Sequence, residues 1–309
     1  MDEPVVPPAD GGLVRVRIDL AYDGTTYAGW AEQPAQRTVQ GTLENALGTV
    51  LRLGEPPRLT VAGRTDAGVH ALGQVAHVDL PGGVIAAVQR LARRCNGVLP
   101  PDVRIRSVAV APVGFDARFS ARSRVYAYRV ADASSAPNPL RRFDTLVHRR
   151  RLDVDRLAAA AGGLLGEHDF AAYCRHRQGA GTVRRLLRLD WERDAEGVLV
   201  AVVEADAFCH SMVRSMVGAL LSVGAGGHDT EWPATVLRSG VREPAAAVAP
   251  AHGLTLLKVR YPPDDELAQR GGVTRKRRHP ETASPGNDVT RTPAVPDTDG
   301  SWAISTSHT

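Results

Sequence analysis

Residues 58–80 run Arg58-Leu59-Thr60-Val61-Ala62, then Gly63-Arg64-Thr65-Asp66-Ala67-Gly68-Val69-His70-Ala71, then Leu72-Gly73-Gln74-Val75-Ala76-His77-Val78-Asp79-Leu80. The first five residues read as a strand. From Gln74 the chain alternates: Ala76, Val78 and Leu80 share one face, His77 and Asp79 the other, as in a second strand. The nine residues between form a loop with glycines at 63 and 68, where the backbone can take conformations a side chain forbids. A loop carried on a sheet is a usual seat of chemistry, because the scaffold is rigid and the tip accessible. This one holds a single carboxylate, Asp66, two residues after Arg64. A nucleophile or general base must be ionised, and a neighbouring cation favours the ionised form. Read locally, Arg64 and Asp66 also suit an ordinary surface turn, and local chemistry alone favours that plainer reading.

Working outward, Leu13 to Tyr22 alternates as a half-buried strand, with Val14, Val16, Ile18, Leu20 and Tyr22 on one face. Thr38 can cap a helix whose Val39, Leu43, Ala46, Leu47 and Val50 fall at helical spacing, leaving Gln40 and Glu44 to solvent. Val84 to Asn96 predicts a helix with a basic outer face, and Val103 to Ala111 another strand. Strand, helix, strands, helix, strand is a ferredoxin-like order. Beyond it come a strand through Tyr126 and Tyr128, a helix from Asp153 through Leu165, and a hairpin of Leu187–Arg193 and Val198–Phe208. An apolar helix His210–Val223, a helix from Thr230 to Gly240 and a final strand after Gly253 complete the order. The expected architecture is α+β: two ferredoxin-like (RRM-like) mixed halves, 13–114 and 115–263, whose sheets flank a central basic cleft. Residues 1–12 and 264–309, rich in Pro, Gly, Ser and charge, read as disordered tails.

Two features of the second half carry chemistry. Tyr126 and Tyr128 point to one face of their strand, where aromatics are usually core. Yet Arg118, Arg122, Arg124 and Arg129 interleave with them, and aromatics beside arginine hold splayed-out bases. Arg214 sits within an apolar helical pattern, one turn from His210, and a cation on a buried face needs a carboxylate. Asp66, Glu204 and Asp206 are the candidates. His168-Asp169 reads as a helix-end turn rather than a metal or acid-base pair.

At 309 residues the chain can bury a sizeable core, and 43% hydrophobic with 23% charged residues suits a soluble globular protein. No segment reads as a membrane span, and the N-terminus lacks a signal-peptide pattern. Cys95, Cys174 and Cys209 are far apart and form no CxxC. They read as reduced, which points to a cytoplasmic protein and away from structural zinc. The formal net charge is +4. Because Asp2, Glu3 and Asp10 lie in the first tail and the second is near neutral, the body 13–263 is more basic than the whole, as suits a polyanionic partner. All but Lys258 and Lys276 of the 38 basic residues are arginine. The cluster Arg275-Lys276-Arg277-Arg278 adds non-specific affinity for RNA.

Gly63-Arg64-Thr65-Asp66-Ala67-Gly68-Val69-His70 resembles the signature of the TruA-type tRNA pseudouridine synthases. Further resemblances follow in family order: Tyr22-Asp23-Gly24 with Gly29-Trp30, Val39-Gln40-Gly41, Phe119-Ser120-Ala121 with Tyr126 and Tyr128, Phe208 to Gly218, and Gly253-Leu254-Thr255-Leu256. Together they span about residues 13 to 262. Ala31, where the family has Gln, and Gly181, where it has Arg, depart from the pattern. The resemblance implies the pseudouridine synthase fold. It implies isomerisation of uridine at positions 38, 39 and 40 of the tRNA anticodon stem-loop, without cofactor or metal, by a homodimer in which one tRNA contacts both subunits. It makes Asp66 the catalytic residue, held by Arg64 or Arg214, stacks Tyr126 on the target base and sets Leu254 beside it. Two rivals remain. One is a metal-dependent phosphodiesterase using Asp66, His70 and His77, which lacks a second nearby carboxylate. The other is a catalytically inactive RNA-binding module of the same fold.

Overall fold

The computed structural model describes residues 12–83, 88–175, 181–242 and 247–278. In chain order the elements are β1 (Leu13–Tyr22), α1 (Val39–Leu51), β2 (Thr60–Val61), β3 (His70–Pro81), α2 (Val88–Val98), β4 (Val103–Val110), β5 (Ser123–Ala131) and β6 (Leu146–Val147). Then follow α3 (Val154–Gly162), β7 (Gly166–Asp169), β8 (Val183–Arg193), β9 (Leu199–Ala205), α4 (Met212–Gly224), α5 (Trp232–Ser239), β10 (Leu254–Arg260) and α6 (Leu267–Arg278). The fold is mixed α+β, and the strands form one sheet in the order β4-β1-β3-β10-β5-β9-β8-β7, with β2 added to β3 and β6 to β5.

The alternation in β1 does what its pattern dictates. Val16, Ile18 and Leu20 are wholly buried and pack with Leu43 and Leu47 of α1 and Leu91 of α2. Each such burial contributes about 1.5–3 kcal/mol. The same core continues into the second half through Leu157 of α3 and Met216, Val217 and Leu220 of α4. The seam is closed by β10, which returns to the middle of the sheet. It runs antiparallel to β5 and parallel to β3, where Thr255 faces His70 and Leu256 faces Ala71. The start of β3 is the end of the Asp66 loop, so the seam brings that loop beside β10 and β5.

Helix α1 is capped by Thr38, whose Oγ1 accepts from the Gly41 N–H at 3.3 Å. It ends at Arg52 in the left-handed region, before the expected Gly54. Glu44, expected in solvent, is 3% exposed. Its carboxylate accepts from the Leu59 N–H at 2.8 Å and from Gln40 at 2.8 Å, tying α1 to the segment entering β2. Helical spacing alone could not show that partner. The start of the helix expected from Val84 lies outside the described residues, as do residues 1–11 of the expected N-terminal tail.

The tail expected from 264 begins instead with a short turn and α6. Leu267 is 1% exposed. Arg275 reaches Asp116 at 2.9 Å with its guanidinium 5.1 Å from the Phe119 ring centroid. A helix with so little apolar surface owes its order to tertiary contacts, which composition does not reveal. Residues 279–309 lie outside the description.

Candidate active site

The loop after β2 is bound mainly by its own half. The Trp30 N–H donates to the Thr65 carbonyl at 3.0 Å, and the Gly68 N–H to the Tyr27 carbonyl at 3.3 Å. Gly68 has φ 77°, a left-handed conformation that favours glycine. Gly24 lies so close beneath the loop that a Cβ there would stand 2.0 Å from the Val69 carbonyl oxygen. Below it is a buried polar knot. The Tyr22 hydroxyl meets Thr65 Oγ1 at 2.8 Å, and Gln74 Nε2 donates to the Tyr22 hydroxyl at 3.1 Å and to the Gly63 carbonyl at 2.9 Å. Burial pushes the Tyr22 phenol up to about 12 against these hydrogen bonds, so it stays neutral.

His70 closes the loop. Its Nδ1 accepts from the Gly24 N–H at 3.0 Å, and its Nε2 lies 3.1 Å from the His252 carbonyl, two residues before Leu254. His77 accepts from the Ala117 N–H at 3.0 Å, and burial pulls its imidazole below the usual range. Both histidines of the metal reading therefore already serve in structural hydrogen bonds. Among the described residues no three His, Cys, Asp or Glu side chains gather as a metal set.

Asp66 sits between the loop and the start of α4. Arg214 Nη1 lies 3.4 Å from its Oδ2, the Ser211 hydroxyl donates to the same oxygen at 3.3 Å, and His210 Nε2 is 3.5 Å from Oδ1. The carboxylate is 24% and the guanidinium 20% exposed, so solvent screens the pair only partly. The other candidate acids are engaged elsewhere. Glu204 accepts from Ser123 at 2.5 Å and pairs with Arg260 at 2.9 Å, and Asp206 accepts from the Arg185 and Ala207 N–H groups. The contact of Arg214 is single-pronged, since Nε donates to the Ala249 carbonyl at 2.8 Å. One guanidinium thus reaches a carboxylate and the backbone before β10. Arg64 stands exposed on the loop.

Ser211 and His210 were not among the site residues read from sequence. A serine just before an apolar helix is a capping signal. Here it takes φ 62° and makes no cap bond, and its hydroxyl is turned to Asp66 instead.

Tyr126 lies on β5, 7% exposed, edge-on to Phe208 at 5.2 Å. Burial first, then the nearby Tyr22 and the Asp66 carboxylate, push its phenol up, partly opposed by Arg124. It is a neutral ring at the edge of the Asp66 field. Leu254 opens β10 at 5% exposure, opposite Tyr128. Of the interleaved arginines, Arg118 and Arg122 are exposed, Arg129 pairs with Asp194 at 2.7 Å, and Arg124 is buried. His168 and Asp169 lie on β7, not at a helix-end turn. His168 Nε2 lies 2.8 Å from the Leu165 carbonyl, and Asp169 accepts from the Ala171 N–H at 3.0 Å.

One cysteine expectation is corrected. Cys174 and Cys209, 35 residues apart, are brought to a Cα separation of 5.7 Å and joined as a disulfide, while Cys95 is free and buried. Sequence distance gave no sign of the pairing. It lies next to His210, whose carbonyl accepts from the Arg175 N–H at 2.9 Å.

A partly buried carboxylate faced by a cation, on a seam lined by a neutral aromatic ring and a leucine, can receive a planar polar base and act on it. A family model described as tRNA pseudouridine synthase matches residues 160–262. Proteins named tRNA pseudouridine synthase A are similar over most of the chain. That of Frankia casuarinae is 66% identical over 88% of this chain and 98% of its own. That of Streptomyces griseus is 56% identical over 86% and 95%, and that of Mycobacterium leprae 50% identical over 87% and 97%. The chain belongs to the tRNA pseudouridine synthase A family.

Proposed function

We propose that this isomerase converts uridine to pseudouridine at positions 38, 39 and 40 of the tRNA anticodon stem-loop. The N1–C1′ glycosidic bond breaks, the uracil turns, C5 bonds to C1′, and the proton on C5 leaves for N1; the change is redox-neutral. The observation that carries the reading is the contact of Asp66 with Arg214 across the seam. Asp66 is the nucleophile or base, and Arg214 holds it with Ser211. Tyr126 stacks on the flipped base, because a base must leave its helix to be rearranged. Leu254 bounds the pocket. Arg64, exposed on the loop tip, meets the RNA strand from which the base is taken. Substrate engages a basic cleft between the halves 13–114 and 115–263.

The proposal includes a homodimer with both subunits on one tRNA, carried by the family resemblance and checked by sedimentation with and without tRNA. Among the described residues no helix is long and apolar enough to cross a membrane. We place the protein in the cytoplasm, with its substrate. That compartment keeps thiols reduced, so there Cys174 and Cys209 stand as two neighbouring thiols. The test is to incubate the protein with unmodified tRNA and map pseudouridine. Product at 38–40 is expected, with full activity in EDTA. Binding without product, or loss of activity in EDTA, overturns the reading.

A further inference from the structure

Arg124 is the one buried arginine among the described residues, 4% exposed, and burial pulls its guanidinium below the ordinary range. Among those residues no carboxylate closes an ion pair on it. Its hydrogen bonds go to three main-chain carbonyls. Nη1 donates to Asp206 at 2.7 Å, and Nη2 donates to Ala62 at 2.7 Å and to Arg118 at 2.9 Å. Each acceptor belongs to a different segment around the site. Ala62 immediately precedes Gly63 and the Asp66 loop. Asp206 begins the segment that delivers His210, Ser211 and Arg214. Arg118 leads into the Phe119-Ser120-Ala121 run, and Arg124 itself stands two residues before Tyr126 on β5.

A cation is costly to bury without a partner anion, and three neutral carbonyls only partly offset that cost. An apolar side chain would suffice if packing were its sole use. A planar fork with five donors is the side chain that can hold three carbonyls at fixed angles. Being enclosed, it has no surface for phosphate, unlike its exposed neighbours Arg118 and Arg122.

We propose that Arg124 is a positioning residue for pseudouridine formation. It fixes the entry of the Asp66 loop against the segment before α4, and so sets the register in which Asp66, Arg214 and Tyr126 meet. This rests on the function proposed above. Displacing a reacting group by about 1 Å can cost roughly a hundredfold in rate, and the loss of one clamp frees two walls at once.

The experiment compares Arg124→Lys and Arg124→Ala with the wild-type enzyme on unmodified tRNA, measuring kcat, KM, tRNA affinity and Tm. Absence of product with the wild type refutes the function and is read separately. With wild type active, kcat falls by about 30- to 100-fold in both variants, while KM and tRNA affinity stay within about threefold, since phosphate contacts supply them. Lysine keeps the charge but has one nitrogen for three acceptors, so it does not rescue. Guanidinium ion added to the Ala variant, far below denaturing concentrations, restores part of kcat. A lowered Tm with unchanged kcat shows a purely structural residue and overturns the proposal. So does a raised KM with unchanged kcat, which marks an RNA contact. If the Ala variant does not fold, the Lys variant carries the same comparison.

Discussion

The loop that carries Asp66 and the segment that carries its cation are held in opposite ways. From Ala62 to Val69 the polar ties run chiefly to Tyr22, Tyr27, Trp30 and Gln74, all within the first half. From His210 to Arg214 they run far along the chain, to Arg175, Ala249 and Asp66 itself. The loop is held mainly from within the first half, and the α4 segment by partners distant along the chain, of which Asp66 lies in the other half. A site made of one self-supporting wall and one assembled wall should respond differently when each is cut.

Cutting the self-supporting wall has the largest effect. Asp66→Asn keeps the shape of the side chain and the loop's own hydrogen bonds. A positioned acid-base group contributes roughly 10²–10⁴-fold, and here it is also the candidate nucleophile, so turnover should fall about a thousandfold or more. Affinity for tRNA should hardly move, because phosphate contacts position the RNA. Comparable turnover by the Asn variant in a pseudouridine assay would remove Asp66 from the reaction.

Cutting the assembled wall comes next. Arg214→Gln removes the charge, and Arg214→Lys keeps it but offers one nitrogen where the structure uses two, on Asp66 and on the Ala249 carbonyl. Both should lose about a hundredfold in kcat, the scale of one preorganised donor, with lysine recovering little of it. Full activity in the Lys variant would mean that charge alone matters and that the tie to Ala249 is incidental.

The same contrast explains how much was legible in the string. The Asp66 loop could be placed because its determinants lie side by side, two strand-like segments, glycines at 63 and 68 and one carboxylate, but its role came from the resemblance of residues 63–70 to the family signature. The helical spacing around Arg214 said that a buried cation needed an anion but left three acids open, because the choice is made by the closing of β10 against β3, a parallel pairing across most of the chain. Glu44 differs from its expected exposure for the same reason: besides Gln40 on its own helix it holds the Leu59 N–H, a partner helical spacing does not show. Strands of two and four residues, β6 and β7, are too short to show a period, and α6 is ordered by Asp116 and Phe119 rather than by its own apolar face.

A smaller effect falls on the ring the two walls share. Tyr126→Phe keeps the face that would stack on a base and removes a neutral hydroxyl, so it should retain most of its turnover. Tyr126→Leu loses the face. Base-aromatic stacking contributes about 1–3 kcal/mol, or roughly 5- to 150-fold, and the loss should appear in kcat more than in tRNA affinity. Wild-type rates in the Leu variant would make Tyr126 a core residue beneath Phe208 and nothing more.

The smallest effect is expected at Ser211, and it separates the two things that residue does. Its backbone sits at φ 62°, a region costing a non-glycine residue about 1–2 kcal/mol, and its hydroxyl donates to Asp66 at 3.3 Å. Ser211→Ala keeps the strained backbone and loses the hydroxyl. Ser211→Gly loses the hydroxyl and relieves the strain. A hydrogen bond of this kind contributes about 0.5–1.5 kcal/mol, so both variants should slow by roughly 3- to 10-fold in kcat, while the melting temperature of the Gly variant should exceed that of the Ala variant. If Ala turns over as fast as wild type, the hydroxyl does not orient Asp66. If Gly is much slower than Ala, it is the stiffness of the bend into α4, rather than its hydrogen bond, that keeps the assembled wall in place against the loop.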